Sequence, residues 1–383
     1  MKSANGSVGL EKLGECATRV QQAVRSAAHG LVEREVLVEL IALAAVAEEH
    51  VLVIGEPGTA KSEAVRRVAR SLGGKYFEYL LGRFAEPSEL FGPIDLLKLQ
   101  QGKLETVTTG MLPEADVAFL DEVFLGSTAI LNTLLGILNE REFRRGSVSV
   151  RTPLRICVGA SNRLPEDPAL AAFADRFLVR VFVAPVADSE LENLLSAGIS
   201  QAPTTSGASL ADLETLTLAR RSVDLRAVQP LLAQAVRQLR QAGVALTDRR
   251  IVRAQNLVAA AAVLSGRQQA SAKDLWPLIN AVPTQLEQDT ARDVLRQVLA
   301  ESDSALGAAA LEASASQTAR ANRIARAAEP LLAAVPGADE QVPWRLRIEG
   351  LLREIDAGFP TNALPEPLPA LRERLRASLP TAG

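Results

Sequence analysis

Residues 51–62 read VLVIGEPGTAKS, and the helix-forming run EAVRRVARSL follows at 63–72. Four consecutive apolar residues, Val51–Ile54, predict a short buried strand. Gly55, Glu56, Pro57, Gly58, Thr59 and Ala60 make a turn, and Lys61 and Ser62 open the helix. Strand, glycine-bearing loop and helix in that order spell a phosphate-binding loop. Glycine at 55 and 58 lets backbone N–H groups approach a polyphosphate, and the helix aims its positive end at the same place. Lys61 would reach the β- and γ-phosphates, and the Ser62 hydroxyl would hold Mg²⁺. The usual pattern has glycine before the lysine, and here that residue is Ala60. Alanine suits the position if its backbone is already helical, because only a positive φ demands glycine. The competing reading is a strand–turn–helix joint that binds nothing.

Working outward, Val117–Leu120 is a second apolar strand, with Asp121 and Glu122 at its end. Behind a phosphate loop, that acidic pair lies at the carboxyl end of a parallel strand. Asp121 would hold Mg²⁺, directly or through water, and Glu122 would orient and activate the attacking water. Alternatively, both residues favour the start of the helix that begins near Ser127. Ile156–Ala160 predicts a further buried strand ending in Ser161-Asn162. The Asn162 amide could bond a water or the γ-phosphate, or act as a turn residue. A short helix, Asp175-Arg176 and a strand containing Arg180 fill 165–183. An arginine placed beside a neighbour's γ-phosphate speeds hydrolysis by about 10³–10⁵. The alternative for Arg176 is an ion pair with Asp175 or a nearby carboxylate.

Length and composition bound the rest. The 383 residues suffice for two or three domains, and 48% hydrophobic with 23% charged residues is ordinary for a globular chain. A net charge of −3 and only 4% aromatic residues argue against nucleic acid, which wants a basic field and stacking platforms. Cys16 and Cys157 are far apart and have no metal-ligand spacing, which fits a reducing cytoplasm. His29 and His50 offer neither a triad nor a metal set. The N-terminus, MKSANGSVGLEKL, lacks the apolar core of a signal peptide, and Val36–Ala47 is too short to span a membrane and is broken by Glu39.

Residues 1–10 read as a lead-in, followed by helices over 11–28 and 33–49, the second apolar on nearly all sides. A strand is predicted at 75–81, a proline-containing loop at 82–95, and a hairpin or short helix within 96–109. A helix over 128–138 leads to a β-hairpin at 139–155 turning about Arg145-Gly146. Its arginines, at 141, 144, 145, 151 and 155, make the most basic patch in the chain. That patch is either a solvated hairpin or subunit contact, or a nucleic-acid finger. Beyond Pro185 the pattern is helical. Residues 201–209 form a polar linker, Asp248 caps a helix running to Leu264, and Ser271–Asp274 spells a capping box. Arg249 and Arg250 stand at a helix start, where positive charge is unfavourable, hinting at work other than helix stability. Helices are also predicted at 285–299, 316–334, 343–355 and 368–379, with prolines from Pro360 onward breaking the end and no sustained heptads.

Taken together, GEPGTAKS, VAFLDE, NEREFRRG, GASN and DRFLVR, followed by TDRR, resemble a AAA+ ATPase of the MoxR family, with the nearer likeness to its RavA-type subgroup. GLVERE (30–35), GRFAEPSELFGPID (82–95), TTGMLPEADVAFLDE (108–122), AILNTLLGILNEREF (129–143) and ASNRLPEDP (160–168) support it, so the likeness covers about residues 25–283. Ala60 before the lysine agrees with that family. The resemblance implies an α/β AAA+ core of the P-loop NTPase type, a parallel sheet flanked by helices. An all-α lid and an α-helical C-terminal segment follow, with divisions at 1–24, 25–186, 187–283 and 284–383. Lys61 and Ser62 would be the Walker A pair, Asp121 and Glu122 the Walker B pair, and Asn162 sensor 1. Arg176 would be the arginine finger with Arg180 in reserve, and Arg249 would be sensor 2 with Arg250 its rival. Leu31 and Val32 would lie near adenine, and the 96–109 and 141–151 elements would be the helix-2 insert and the pre-sensor-1 hairpin. ATP and Mg²⁺ are the implied cofactors.

The implied protein is a cytoplasmic, hexameric homo-oligomer that remodels or matures a partner, or inserts a cofactor or metal. A von Willebrand factor A-domain protein would be its client or adaptor. RavA-type proteins carry a small β-rich C-terminal module, whereas the last hundred residues here are helical throughout, so partners of that module do not carry over. A nucleic-acid motor using the 141–151 hairpin and a non-hydrolysing nucleotide-dependent scaffold are the other two readings.

Overall fold

The run at 51–55 forms a strand buried at every position, and the fold is built around it. The computed structural model describes residues 9–145, 148–199, 207–299, 317–333, 341–359, 364–365 and 367–379. Strands β1 (Val51–Gly55), β2 (Tyr76–Leu80) and β3 (Val117–Asp121) share one sheet with two later strands, β6 (Ile156–Ser161) and β7 (Val179–Val183). The spatial order is β2-β3-β6-β1-β7, and every pairing is parallel. Val53 stands opposite Ala160 on one side and Val181 on the other. Between them in sequence, β4 (Glu142–Arg145) and β5 (Val148–Arg151) form a separate antiparallel hairpin.

A sheet covered on both faces needs apolar residues at successive positions, and β1 supplies them. Val51 and Val53 enter one core with α1 (Leu10–Ala28), α2 (Glu35–Ala47) and α3 (Lys61–Leu72). Leu52 and Ile54 face the other core, with α4 (Pro87–Phe91), α6 (Thr128–Glu140) and α7 (Pro168–Ala174). Helix α5 (Leu96–Gln100) lies in the insert between α4 and β3, and α8 (Leu191–Ile199) follows β7.

The lid is not a unit apart. Helices α9 (Leu210–Arg220), α10 (Gln229–Gln241) and α11 (Asp248–Leu264) place Leu213, Leu232 and Leu257 in the same core as Val20, Leu40 and Val53. That is why α2 is buried from Leu37 to Ala47: the sheet covers one side and lid helices cover the other. Helices α12 (Gln285–Val294) and α13 (Arg296–Leu299) close this layer. Helices α14 (Gln317–Ala333), α15 (Gln341–Gly358) and α16 (Leu368–Ser378) enclose a core of their own around Ile324, Ile348, Leu351 and Leu375. This set docks through α15 onto the 3-10 turn at Asp188–Glu190, where Arg353 pairs with Asp188 at 3.0 Å. Among the described residues, no helix is long and apolar enough to cross a membrane.

The expected α/β core with a helical remainder is thus the observed fold class. Local expectations differ in four places. The 82–95 loop contains α4, begun by Pro87 and a capping box at Glu86. Both alternatives for 96–109 occur, since α5 is capped by Asp95 and Ile94 then bridges Thr106 in antiparallel fashion. Thr247 rather than Asp248 caps α11, accepting the Arg250 N–H. The Ser271–Asp274 box caps only a 3-10 turn. The lead-in at 1–8, linker residues 201–206, the Gly146 turn, the helix ends at 316 and 334, and Pro360 lie outside the described residues.

Candidate functional site

Parallel strands put all their carboxyl ends on one edge, so the loop after β1, the acidic pair of β3 and Asn162 after β6 meet there. Gly55 is needed for a reason the sequence does not display: a Cβ would sit 2.3 Å from the Val183 carbonyl oxygen on β7. Gly58 has φ +79, as a phosphate-loop glycine should. Ala60 corrects the expectation of helical backbone, because it sits at φ 59, ψ 25, in the left-handed region. That conformation costs an alanine about 1–2 kcal/mol.

Lys61 is 7% exposed, and its Nζ donates to the carbonyls of Gly55 and Glu56, both at 2.8 Å. Burial lowers its pKa, while the nearby charges of Asp121 and Glu122 push it up. A buried ammonium whose bonds go to neutral carbonyls is a site suited to an anion, so these residues fit a polyphosphate. Ser62 and Asp121, both half-buried, are oxygen donors on this edge that would hold Mg²⁺.

Glu122 has a left-handed backbone, φ 48, and its Oε1 accepts a hydrogen bond from Asn162 Nδ2 at 2.8 Å. Asp121 Oδ1 accepts the Glu122 N–H at 3.0 Å. The alternative of helix capping goes instead to Ser127, whose Oγ accepts the Ile130 N–H of α6. Leu31 is buried and Val32 half-buried, in the turn leading to α2. In that same turn lies a residue the sequence reading passed over. Arg34 is 4% exposed and donates from Nε to the Thr59 carbonyl of the phosphate loop at 2.8 Å. Nothing in GLVERE marks it, because the groups it holds are backbone carbonyls.

Arg176 precedes β7 and therefore lies on the opposite edge, as do Glu48, Glu49 and His50 before β1. The two edges are separated by the length of a five-residue strand, about 15 Å. There Arg176 and Arg249 line one cavity of about 540 Å³ together with Glu48, Glu49, Arg141 and Arg253. Arg176 does not pair with Asp175, and its buried Nε has no hydrogen-bond partner. Asp175 takes Arg250 instead, at 2.8 Å. Arg253, also missed from sequence, pairs with buried Glu49 and donates to the Arg176 carbonyl at 3.0 Å, which braces the Arg176 backbone.

Two expected residues are corrected by their burial. Arg180 is 3% exposed, donates to the carbonyls of Phe177 and Ala174, and burial brings its pKa down to about 9; it has no surface from which to reach a neighbour. Arg250 is 1% exposed and donates to Ala281 O and Leu178 O, each at 2.9 Å. It pins α11 to the start of β7 and does not face the phosphate loop.

The basic hairpin also changes character. Arg141 turns inward to the Glu48 carbonyl at 2.9 Å, and Arg145 donates to Gly92 O at 2.9 Å. Arg144 is neutralised by Glu140 and Glu142. Arg155 pairs with Glu214 at 3.7 Å, and with four of its five arginines committed the hairpin offers little charge to a phosphate backbone.

Comparison with known proteins agrees with this fold. The family model described as the MoxR domain in MoxR-vWA-beta-propeller ternary systems matches residues 18–220, and a AAA lid domain model matches 227–294. Two uncharacterized proteins of Methanocaldococcus jannaschii are 36% and 35% identical over 245 residues, covering 63% of this chain and 64% and 65% of their own. The match therefore spans just under two thirds of those relatives. The chaperone MoxR1 of Mycobacterium tuberculosis is 26% identical over 197 residues, 50% of this chain and 52% of that protein. A crystal structure of a candidate ATPase from Cytophaga hutchinsonii covers 77% of this chain and 97% of its own, with a TM-score of 0.61 and 15% identity, a likeness of fold.

Proposed function

Because this chain belongs to the MoxR family of AAA+ ATPases, we propose that it hydrolyses ATP at sites shared between subunits and uses the cycle to remodel or mature a partner protein. One observation carries the proposal. A phosphate-loop edge with Lys61, Asp121, Glu122 and Asn162 occurs in the same subunit as Arg176 and Arg249, which line one cavity on the far edge. About 15 Å of sheet separates them, so the arginines cannot serve their own loop. They can serve a neighbour's.

In this scheme Lys61 exchanges the Gly55 and Glu56 carbonyls for phosphate oxygens. Mg²⁺ held by Ser62 and Asp121 would supply charge neutralisation on the phosphates. Glu122 orients the attacking water, and Asn162 holds the Glu122 carboxylate in place. Leu31 and Val32 flank the adenine. Arg176 acts as finger and Arg249 as sensor 2, both toward the adjoining subunit, which makes hydrolysis depend on assembly into a ring, here proposed as a hexamer. The description of the matched family supports a von Willebrand factor A-domain partner. The chaperone MoxR1 supports remodelling as the work. A RavA-like placement within the family and a cytoplasmic location belong to the same proposal, the latter on two free, buried cysteines. The nucleic-acid motor is disfavoured by the inward-tied hairpin arginines.

Mixing subunits tests the shared site. Lys61→Ala and Arg176→Ala should each be inactive alone. Mixed at equal ratio, about a quarter of the interfaces join an intact loop to an intact finger, and hydrolysis should return. No recovery between co-assembled variants would refute the arrangement.

A further inference from the structure

We propose that Glu33-Arg34 is a latch coupling occupancy of the phosphate loop to the segment that leads into the lid, with Arg34 as its positioning residue. The proposal rests on the reading of that loop as an ATP site.

Arg34 spreads its guanidinium over three backbone carbonyls from three parts of the chain. Nε donates to Thr59 O in the loop at 2.8 Å, Nη1 to Glu33 O at 2.7 Å, and Nη2 to Ala184 O beyond β7 at 2.8 Å. The adjacent Glu33 has a left-handed backbone, φ 56, and its Oε2 accepts the Ala187 N–H at 3.0 Å. Residues 184–187 run from β7 to the Asp188–Glu190 turn, on which α15 docks, and then to α8. Two consecutive residues thus hold the phosphate loop at one point and the outgoing segment at two.

The electrostatics make this grip sensitive to a ligand. Among the described residues no carboxylate makes an ion pair with Arg34, and burying a cation against neutral carbonyls is costly. Lys61, 7% exposed, is its Coulombic neighbour and has the same kind of partners. Asp121 and Glu122 act on Lys61, and Glu33 and Glu35 on Arg34, only at a distance, and a polyphosphate entering the loop brings negative charge into direct reach of the loop. The bond to Thr59 O also lies beside Ala60, whose left-handed backbone needs an external hold. A change at Thr59 is passed through a planar, rigid fork to Ala184. Lysine, a point donor on a flexible stem, cannot span the same three acceptors.

The test uses the full chain as wild type, Arg34→Lys, Arg34→Gln and Glu33→Ala, with melting curves to verify folding. A fluorescent ATP analogue measures affinity, and hydrogen exchange of peptides spanning 184–191 is compared with and without ATP. Wild type should bind, and binding should change exchange at 184–191. Both Arg34 variants should bind about tenfold to a hundredfold more weakly, the cost of losing a charge-assisted bond. Glu33→Ala should bind within about threefold of wild type yet lose the nucleotide-dependent change at 184–191. A merely structural Glu33 would lower the melting point and leave that change in place. Wild-type binding with unaltered affinity in the Arg34 variants, or with no response at 184–191, overturns the latch alone. No binding by wild type overturns the nucleotide-site reading and the latch with it.

Discussion

Arg249 and Arg250 are neighbours in sequence with opposite fates, and substituting each separates the two roles a basic pair at this helix could hold. Arg250→Met removes a guanidinium that is 1% exposed and bonded to Asp175 (2.8 Å), Ala281 O (2.9 Å) and Leu178 O (2.9 Å). Breaking a buried pair by deleting one partner costs about 3–5 kcal/mol. Asp175 keeps 31% of its side chain in solvent, so water can take over part of its loss and the lower end, about 3 kcal/mol, applies. For a chain of 383 residues that corresponds to a melting point lowered by about 4 °C. Arg249→Ala removes an exposed side chain and should change stability by no more than about 0.5 kcal/mol. Thermal unfolding by circular dichroism reads the first effect; nucleotide binding and ATP turnover, measured where both variants are folded, read the second. The expected outcome is a destabilised Arg250→Met and a stable Arg249→Ala that binds ATP and turns it over slowly. An Arg250→Met variant that melts like wild type but loses turnover would refute the assignment and move sensor 2 to Arg250.

Two further outcomes follow from buried geometry. His50 Nδ1 accepts the Cys157 N–H at 3.0 Å, while Nε2 lies 2.9 Å from the Leu138 carbonyl and 2.6 Å from Arg141 Nη1; burial, with the Arg141 charge beside it, holds its pKa well below the usual 6.5. Below pH 6.5 the unfolded chain takes up a proton that the folded chain refuses, so His50 lowers stability as pH falls, by up to about 1.4 kcal/mol per pH unit. Urea unfolding between pH 7.5 and 5.5 should show a shallower pH slope in His50→Gln, and an identical slope would remove His50 from this role. At Ala60, with φ 59, glycine relieves strain while enlarging the unfolded ensemble. Ala60→Gly should therefore be neutral or more stable by about 0.5–1 kcal/mol, and Ala60→Val less stable by about 1–2 kcal/mol. Equal melting of both variants with wild type would contradict the left-handed assignment.

Sequence alone determined what is local in the chain. The unbroken apolar runs of β1, β3 and β6 read as buried strands, as they are, and the glycines and lysine at the join of β1 and α3 carry the pattern of a phosphate loop. Lys61, Asp121 and Asn162 were legible because a parallel sheet delivers strand ends to one edge whatever the rest of the chain does. Tertiary structure decided everything that depends on which way a side chain points. Arg249 and Arg250 differ by about 100° around one helix, and only the packing of α11 on the start of β7 sends one into the interior and the other into a cavity. Arg176 and Arg180 are separated in the same way, by the turn into β7 at the edge of the sheet. The sequence showed a helix over 33–49 apolar on nearly all sides and a helix over 248–264, but not that each would cover the other in one continuous core. Arg34 was silent in the sequence because its partners, Thr59 and Ala184, are 25 and 150 residues away and offer only backbone carbonyls. Every residue carries that acceptor, so no sequence pattern can announce it.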